Sequence, residues 1–209
     1  NDTTTAVADS SGNGYDGVAS SANIFKTDTP FGTGKSIDLN GNQYVAVSDG
    51  GQQTVFNGAN AFSISTWVKE WPDGGWEPYV SKRGEGNQGW QIRRRSGDQD
   101  RMSFTLRGVG NDDWYIQRNI NDNQWHHIVG TFGQGYRRGY VDGTMTGEEQ
   151  RFGSVRMGGS QLVFGARDNS GNYNNGLNIG NHANVWLDDV RYYNAPLTAN
   201  EVSSIYGNG

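Results

Sequence analysis

Apolar residues recur at alternate positions in short runs, each closed by a Gly, Asn or Asp turn signal, the pattern of half-buried strands. In Phe62-Ser-Ile64-Ser-Thr66-Trp-Val68, one face carries Phe62, Ile64 and Val68 and the other Ser63, Ser65 and Trp67. Met102-Ser-Phe104-Thr-Leu106 repeats the device, and Leu162-Val163-Phe164 and the stretch from Val185 to Tyr193 give further strands. Tyr140-Val141-Asp142-Gly143 ends in Asp-Gly, the strongest short hairpin signal, because both turn positions need positive φ. About eleven to thirteen strands are predicted. A single short helix closes the chain: Thr198-Ala-Asn-Glu201 is a capping box, Val202 and Ile205 lie three apart on one face, and Gly207 stops the turn.

Composition agrees with an all-β domain. There are 32 Gly and 4 Pro among 209 residues, and Gly and Asn are costly inside helices but suit turns. A net charge of only -5, with 7 Trp and 10 Tyr to bury, lets the chain fold. No linker rich in Pro, Ser or charge divides it, so residues 1–209 read as one domain. No run of about 18 apolar residues exists, so no membrane span is expected. The absence of Cys excludes disulfides and thiolate metal sites, leaving the core, alone or with a hard cation, to hold the fold. A pI near 5.1 argues against nucleic acid as partner. With no signal peptide and no initiator Met, Asn1 reads as the start of a processed or excised piece.

Four ordered segments carry a family resemblance. They are Val7-Ala-Asp9-Ser-Ser-Gly-Asn-Gly-Tyr-Asp-Gly17; Phe62 to Val68; Trp125-His126-His127-Ile128-Val129 ahead of Tyr140-Val-Asp-Gly143; and Leu187-Asp-Asp-Val-Arg-Tyr-Tyr193 before Leu197-Thr-Ala-Asn-Glu201. Together they resemble the bacterial laminin-G-like domains of the concanavalin A-like lectin/glucanase superfamily. The resemblance implies a jelly-roll sandwich of two curved antiparallel sheets, one of them concave. It also implies a non-catalytic module attached to secreted carbohydrate-active enzymes or adhesins, and it fixes fold better than ligand. Similar modules carry a structural calcium between the N-terminal loop and the last strand. Asp9, Asn13 and Asp188 match that arrangement, with Asp16 and Asp189 as nearby substitutes. Strand alternation lets only one of Asp188 and Asp189 point at the ion. The alternative is that Asp9 merely caps a turn, as Asp168 would in the echo Asp168-Asn-Ser-Gly171-Asn172.

Three features bear on a ligand. Sugars stack their C–H faces on flat rings, and Trp71, Trp76, Tyr79, Trp90, Trp114 and Tyr115 lie in or beside predicted loops. Trp67, Trp125 and Trp186 sit in strand motifs and read as core or sheet covering, Trp67 over either a groove or a second small core. Between Lys82 and Arg107, seven basic residues stand against Glu85, Asp98 and Asp100. If Ile92 points inward, Arg93 and Arg95 share the outer face, where two guanidinium forks can bracket a carboxylate or sulfate. A solvated face with cross-strand salt bridges is the other reading. His126 and His127 point to opposite faces, so they cannot chelate one ion together.

Catalysis finds no matched pair of carboxylates: Glu70 and Glu77 fall in an irregular stretch, and Glu148 and Glu149 are adjacent on a strand, hence on opposite faces. The reading is a calcium-stabilised, non-catalytic carbohydrate-binding module of a larger secreted or cell-surface bacterial protein. It would be a monomer joined to other domains, binding a neutral or anionic polysaccharide through Trp71, Trp76, Tyr79, Trp90, Arg93, Arg95 and Trp114. An adhesin or spacer domain that binds protein is the alternative, with a polysaccharide-degrading enzyme behind it.

Overall fold

The structure is a computed structural model that describes residues 4–47, 56–57, 60–71, 75–84, 87–95, 98–110, 113–116, 118–156, 158–171 and 176–208, of which 98–100 by backbone alone. Its first ten strands are β1 (Ala6–Val7), β2 (Gly17–Ala19), β3 (Phe25–Lys26), β4 (Ser36–Asp38), β5 (Val45–Val47), β6 (Phe62–Glu70), β7 (Pro78–Lys82), β8 (Trp90–Arg95), β9 (Asp98–Leu106) and β10 (Asp113–Ile116). Then come β11 (His126–Gly133), β12 (Tyr136–Val141), β13 (Thr144–Gln150), β14 (Leu162–Phe164), β15 (Arg167–Asp168), β16 (Ile179–Gly180), β17 (Val185–Tyr193) and helix α1 (Ala199–Gly207). The strands outnumber the expectation because β1, β3, β15 and β16 are two residues long, too short for alternation to show.

Two antiparallel sheets form the expected jelly-roll sandwich. One has eight strands in the order β1-β2-β5-β14-β7-β8-β9-β10; the other has seven, β13-β12-β11-β6-β17-β4-β3. Phe62 of β6 joins them, its ring 5.4 Å from Trp90, 5.8 Å from Phe104 and 6.0 Å from Tyr192. Each such side chain contributes about 1.5–3 kcal/mol by leaving water. Gly130 of β11 is needed here, since a Cβ would lie 2.8 Å from the Phe104 ring. The β12–β13 hairpin turns on Asp142 (φ 49°) and Gly143 (φ 73°), both positive as the dipeptide requires.

Helix α1 has its predicted capping box: Thr198 accepts from the Glu201 amide at 3.3 Å, and the Glu201 carboxylate accepts from the Thr198 amide at 2.7 Å. The helix runs through Gly207, and Asn208 rather than Gly207 caps it. Val202 seals a small second core with Val129, Tyr140 and Leu197 on the outer side of the seven-stranded sheet. Trp67 is buried beside this helix, stacked on Tyr206 at 5.5 Å and 5.3 Å from the His127 ring.

Candidate binding site on the outer face of the eight-stranded sheet

Alternation along β8 decides which arginines meet. Trp90, Ile92 and Arg94 turn inward, so Gln91 and Arg93 turn outward. Their cross-strand neighbours on β9 are Thr105 and Ser103, and Ser81 of β7 faces Gln91. These outward polar residues are as buried as the core. On this face is a cleft of about 300 Å³ lined by Trp76, Pro78, Arg83, Gln91, Arg93, Arg107, Arg167 and Asn181.

Arg93 is held on every side. Its Nη2 donates to Asp113 at 2.6 Å, and with the Gln91 amide turned to satisfy both groups, Nε and Nη1 donate to the Gln91 oxygen at 2.9 and 3.2 Å. The exposed indole of Trp76 lies against its flat face, 4.0 Å from Cζ to the ring centre. Arg107 approaches the same carboxylate at 3.6 Å, and Thr105 donates to it at 3.0 Å. The two arginines hold the Asp113 pKa below the usual carboxylate value although burial opposes them. Burial and the neighbouring Arg107, Arg167 and Arg93 press Arg83 down to about 10.

Of the aromatic residues expected at the ligand, Trp76 alone reaches this cleft. Tyr79 is fully buried: a bulge between Pro78 and Val80 turns it inward, where its hydroxyl donates to Glu70. Trp90 is also fully buried, its Nε1 donating to the Phe56 carbonyl at 2.6 Å. Trp114 packs on the core and on Arg137, 5.3 Å from its Cζ. These three are corrections to the loop assignment, since their strands are short and flanked by Gly, Asn and Asp. Arg95 stands outside the cleft, its Cζ 4.9 Å from the Tyr115 ring, on which Arg101 also rests. Trp71 sits across the sandwich on the seven-stranded sheet, 5.1 Å from Trp186, with Lys69 over both rings. Asp28 accepts there from Lys69 at 2.7 Å and from Trp125 at 2.9 Å.

Arg83, Gln91, Arg107, Arg167 and Asn181 were missed by sequence reasoning. Arg83 and Arg107 lie in the basic Lys82–Arg107 stretch, and counting alternation outward from Ser81 and Thr105 would have found both. Arg167 and Asn181 come from the β15–β16 ribbon, for which periodicity gives no signal.

Several other carboxylates among the described residues are held by structural partners. Glu70 and Glu77 lie inside the sandwich, where Glu77 pairs with the buried Arg94 at 3.4 Å and burial raises the Glu70 pKa. Glu148 and Glu149 pair with their cross-strand neighbours Arg138 and Arg137. Asp168 accepts from the amides of Gln161, Ser170 and Asn178, which makes it a turn-former.

The cation candidates meet at the rim of a second cavity, about 940 Å³, between the N-terminal loop and β17. Asp9, Asn13, Asp188 and Asp189 all line it. A bulge with Asp189 at φ 47° breaks the strand alternation here, and the Asp189 carboxylate accepts from Arg191 Nε at 2.7 Å. Asp9 closes its own turn on Ser11 and Tyr15. Burial raises Asp188 to about 6, and Asp189 Oδ2 is buried without a hydrogen-bond partner. Carboxylate and amide oxygens are the donor type that a hard cation takes. Among the described residues, however, no three His, Cys, Asp or Glu lie close enough to form a coordination sphere.

Sandwich, topology and helix define a lectin-like β-domain. The chain belongs to the concanavalin A-like lectin/glucanases superfamily, whose laminin G-type model matches residues 39–203. It is similar to domain 4 of AbnA, an extracellular GH43 arabinanase of Geobacillus stearothermophilus solved in complex with arabinotriose. The TM-score is 0.71 at 19% identity, covering 96% of this chain and 92% of that one. It is also similar to the binding domain of Paraclostridial Mosquitocidal Protein 1 (TM-score 0.67, 18% identity, 100% and 52% covered). The binding domain of botulinum neurotoxin DC, solved with rat synaptotagmin II, matches with TM-score 0.68 and 17% identity over 96% and 48%. The chain thus spans about half the length of these toxin binding domains. Comparison with curated protein sequences gave no match.

Proposed function

We propose that the chain is a non-catalytic carbohydrate-binding module of a larger secreted bacterial protein, and that it holds a polysaccharide in the Trp76 cleft. One observation carries this reading: an exposed indole, stacked on Arg93, lines a cleft together with the amides of Gln91 and Asn181 and the guanidiniums of Arg83, Arg107 and Arg167. A flat apolar ring beside a few directed polar groups is the arrangement that recognises a sugar. The arabinotriose complex of the AbnA domain supports a glycan ligand for this fold. The buried state of Glu70 and Glu77, and the engagement of Asp113 by two arginines, support a site that binds without breaking bonds. We further propose a structural calcium held by Asp9, Asn13 and Asp188, with Asp189 beside them.

Calorimetric titration with neutral, uronate-containing and sulfated polysaccharides tests the binding role. Trp76→Ala should weaken the polymer that binds by about 1–3 kcal/mol, the scale of an anchoring side chain, while Trp71→Ala leaves its affinity unchanged. Equal affinity of Trp76→Ala and wild type would move the site elsewhere.

A further inference from the structure

Guanidinium groups make up half of the residues that line the cleft. Three guanidiniums, those of Arg83, Arg107 and Arg167, converge on it beside Arg93, from the end of β7, the end of β9, β15 and β8. Arg93 is spent on Gln91, Asp113 and Trp76, so it forms a wall rather than a free fork. Arg83 differs: its Nε is buried with no hydrogen-bond partner, and the strongest charges acting on it are the three other arginines, opposed by Asp113. A partly desolvated guanidinium among like charges is unfavourable until an anion arrives. Carboxylate and sulfate oxygens match its fork bidentately. The volume of about 300 Å³ is at the small end of ligand sites, suited to one sugar unit rather than a macromolecular surface.

We infer that this cleft is an acidic-sugar subsite, in which the carboxylate or sulfate of one glycosyl residue is seated between Arg83, Arg107 and Arg167 while Trp76 packs on the ring that carries it. The inference rests on the glycan-binding reading above and names the ligand class for the same site.

The test measures affinity for a uronate oligosaccharide, its carboxyl-reduced neutral counterpart, a sulfated oligosaccharide, and polyglutamate as a non-sugar polyanion. Wild type, Arg83→Gln, Arg83→Lys and Trp76→Ala are compared at about 50 and about 300 mM salt, and circular dichroism shows that each variant is folded. At least one acidic oligosaccharide should bind roughly tenfold or more tighter than the neutral counterpart, and Arg83→Gln should abolish that preference. Arg83→Lys, which keeps the charge but loses the fork, should fall between them. Which of the two acidic sugars binds identifies the anion. Equal binding of acidic and neutral oligosaccharides, or an acid preference untouched by Arg83→Gln, overturns the subsite while leaving the glycan reading standing. Equal binding of polyglutamate, with Trp76→Ala silent, overturns the glycan reading instead. No binding to any of the four overturns both.

Discussion

His127 packs against Trp67 and Tyr206 with its Nε2 on the Ser65 hydroxyl at 2.8 Å, and burial lowers its pKa to about 4. Its neighbour His126 instead bridges Asp142 and Asp122 at 2.9 and 3.0 Å, and the Asp142 hydrogen bond raises its pKa. The two therefore act on stability with opposite sign. Between about pH 6.5 and 4 the unfolded chain takes a proton that folded His127 refuses, so its contribution is present above about 6.5 and lost on acidification. His126 contributes below its ordinary pKa and loses that contribution as pH rises through the raised one. His127→Phe, which keeps the ring contacts, should flatten the acid side of the stability curve by about 2–3 kcal/mol between pH 6.5 and 4. Urea midpoints across that range check it, and an unchanged slope would show that His127 titrates normally.

Elements with clean alternation were legible in advance, and irregular ones were not. β6, β9, the Asp142-Gly143 hairpin and the capped helix follow from period and turn chemistry alone. The outward turn of Arg93 was legible from strand parity, and the surface position of Trp76 from its Gly- and Asp-rich surroundings. Bulges were not: one between Pro78 and Val80 turned Tyr79 inward, and another after Asp188 broke the alternation of β17. Period-two counting fails wherever one extra residue is inserted. Arg167 needed the long-range placement of the β15–β16 ribbon, which no local pattern encodes. The same packing logic gives an element-scale prediction at Gly130, where β11 passes over Phe104. Gly130→Ala should cost about 1–3 kcal/mol of overpacking without touching the cleft. A denaturant midpoint equal to wild type would mean that Phe104 can yield.

At the scale of the molecule, the two proposed sites would act differently. The proposed calcium would join the loop before β2, in one sheet, to β17, in the other, so its effect is global. About 1 mM calcium added to chelated protein should raise the thermal midpoint by several degrees, and Asp188→Asn should abolish the rise. A midpoint indifferent to calcium would leave Asp9 as a turn-former alone. The arginine cleft lies on the opposite face of the eight-stranded sheet from the core, where a ligand can arrive without disturbing the packing.

The central claim is that a sugar chain docks against Trp76 on that face. The indole N–H resonances of the seven tryptophans, followed in one nitrogen–proton spectrum as an acidic oligosaccharide is added, address it directly. The account predicts that the Trp76 signal moves saturably while those of Trp71, Trp125 and Trp186 stay in place. Movement of those three with Trp76 still would contradict it, transferring the ligand to the seven-stranded sheet.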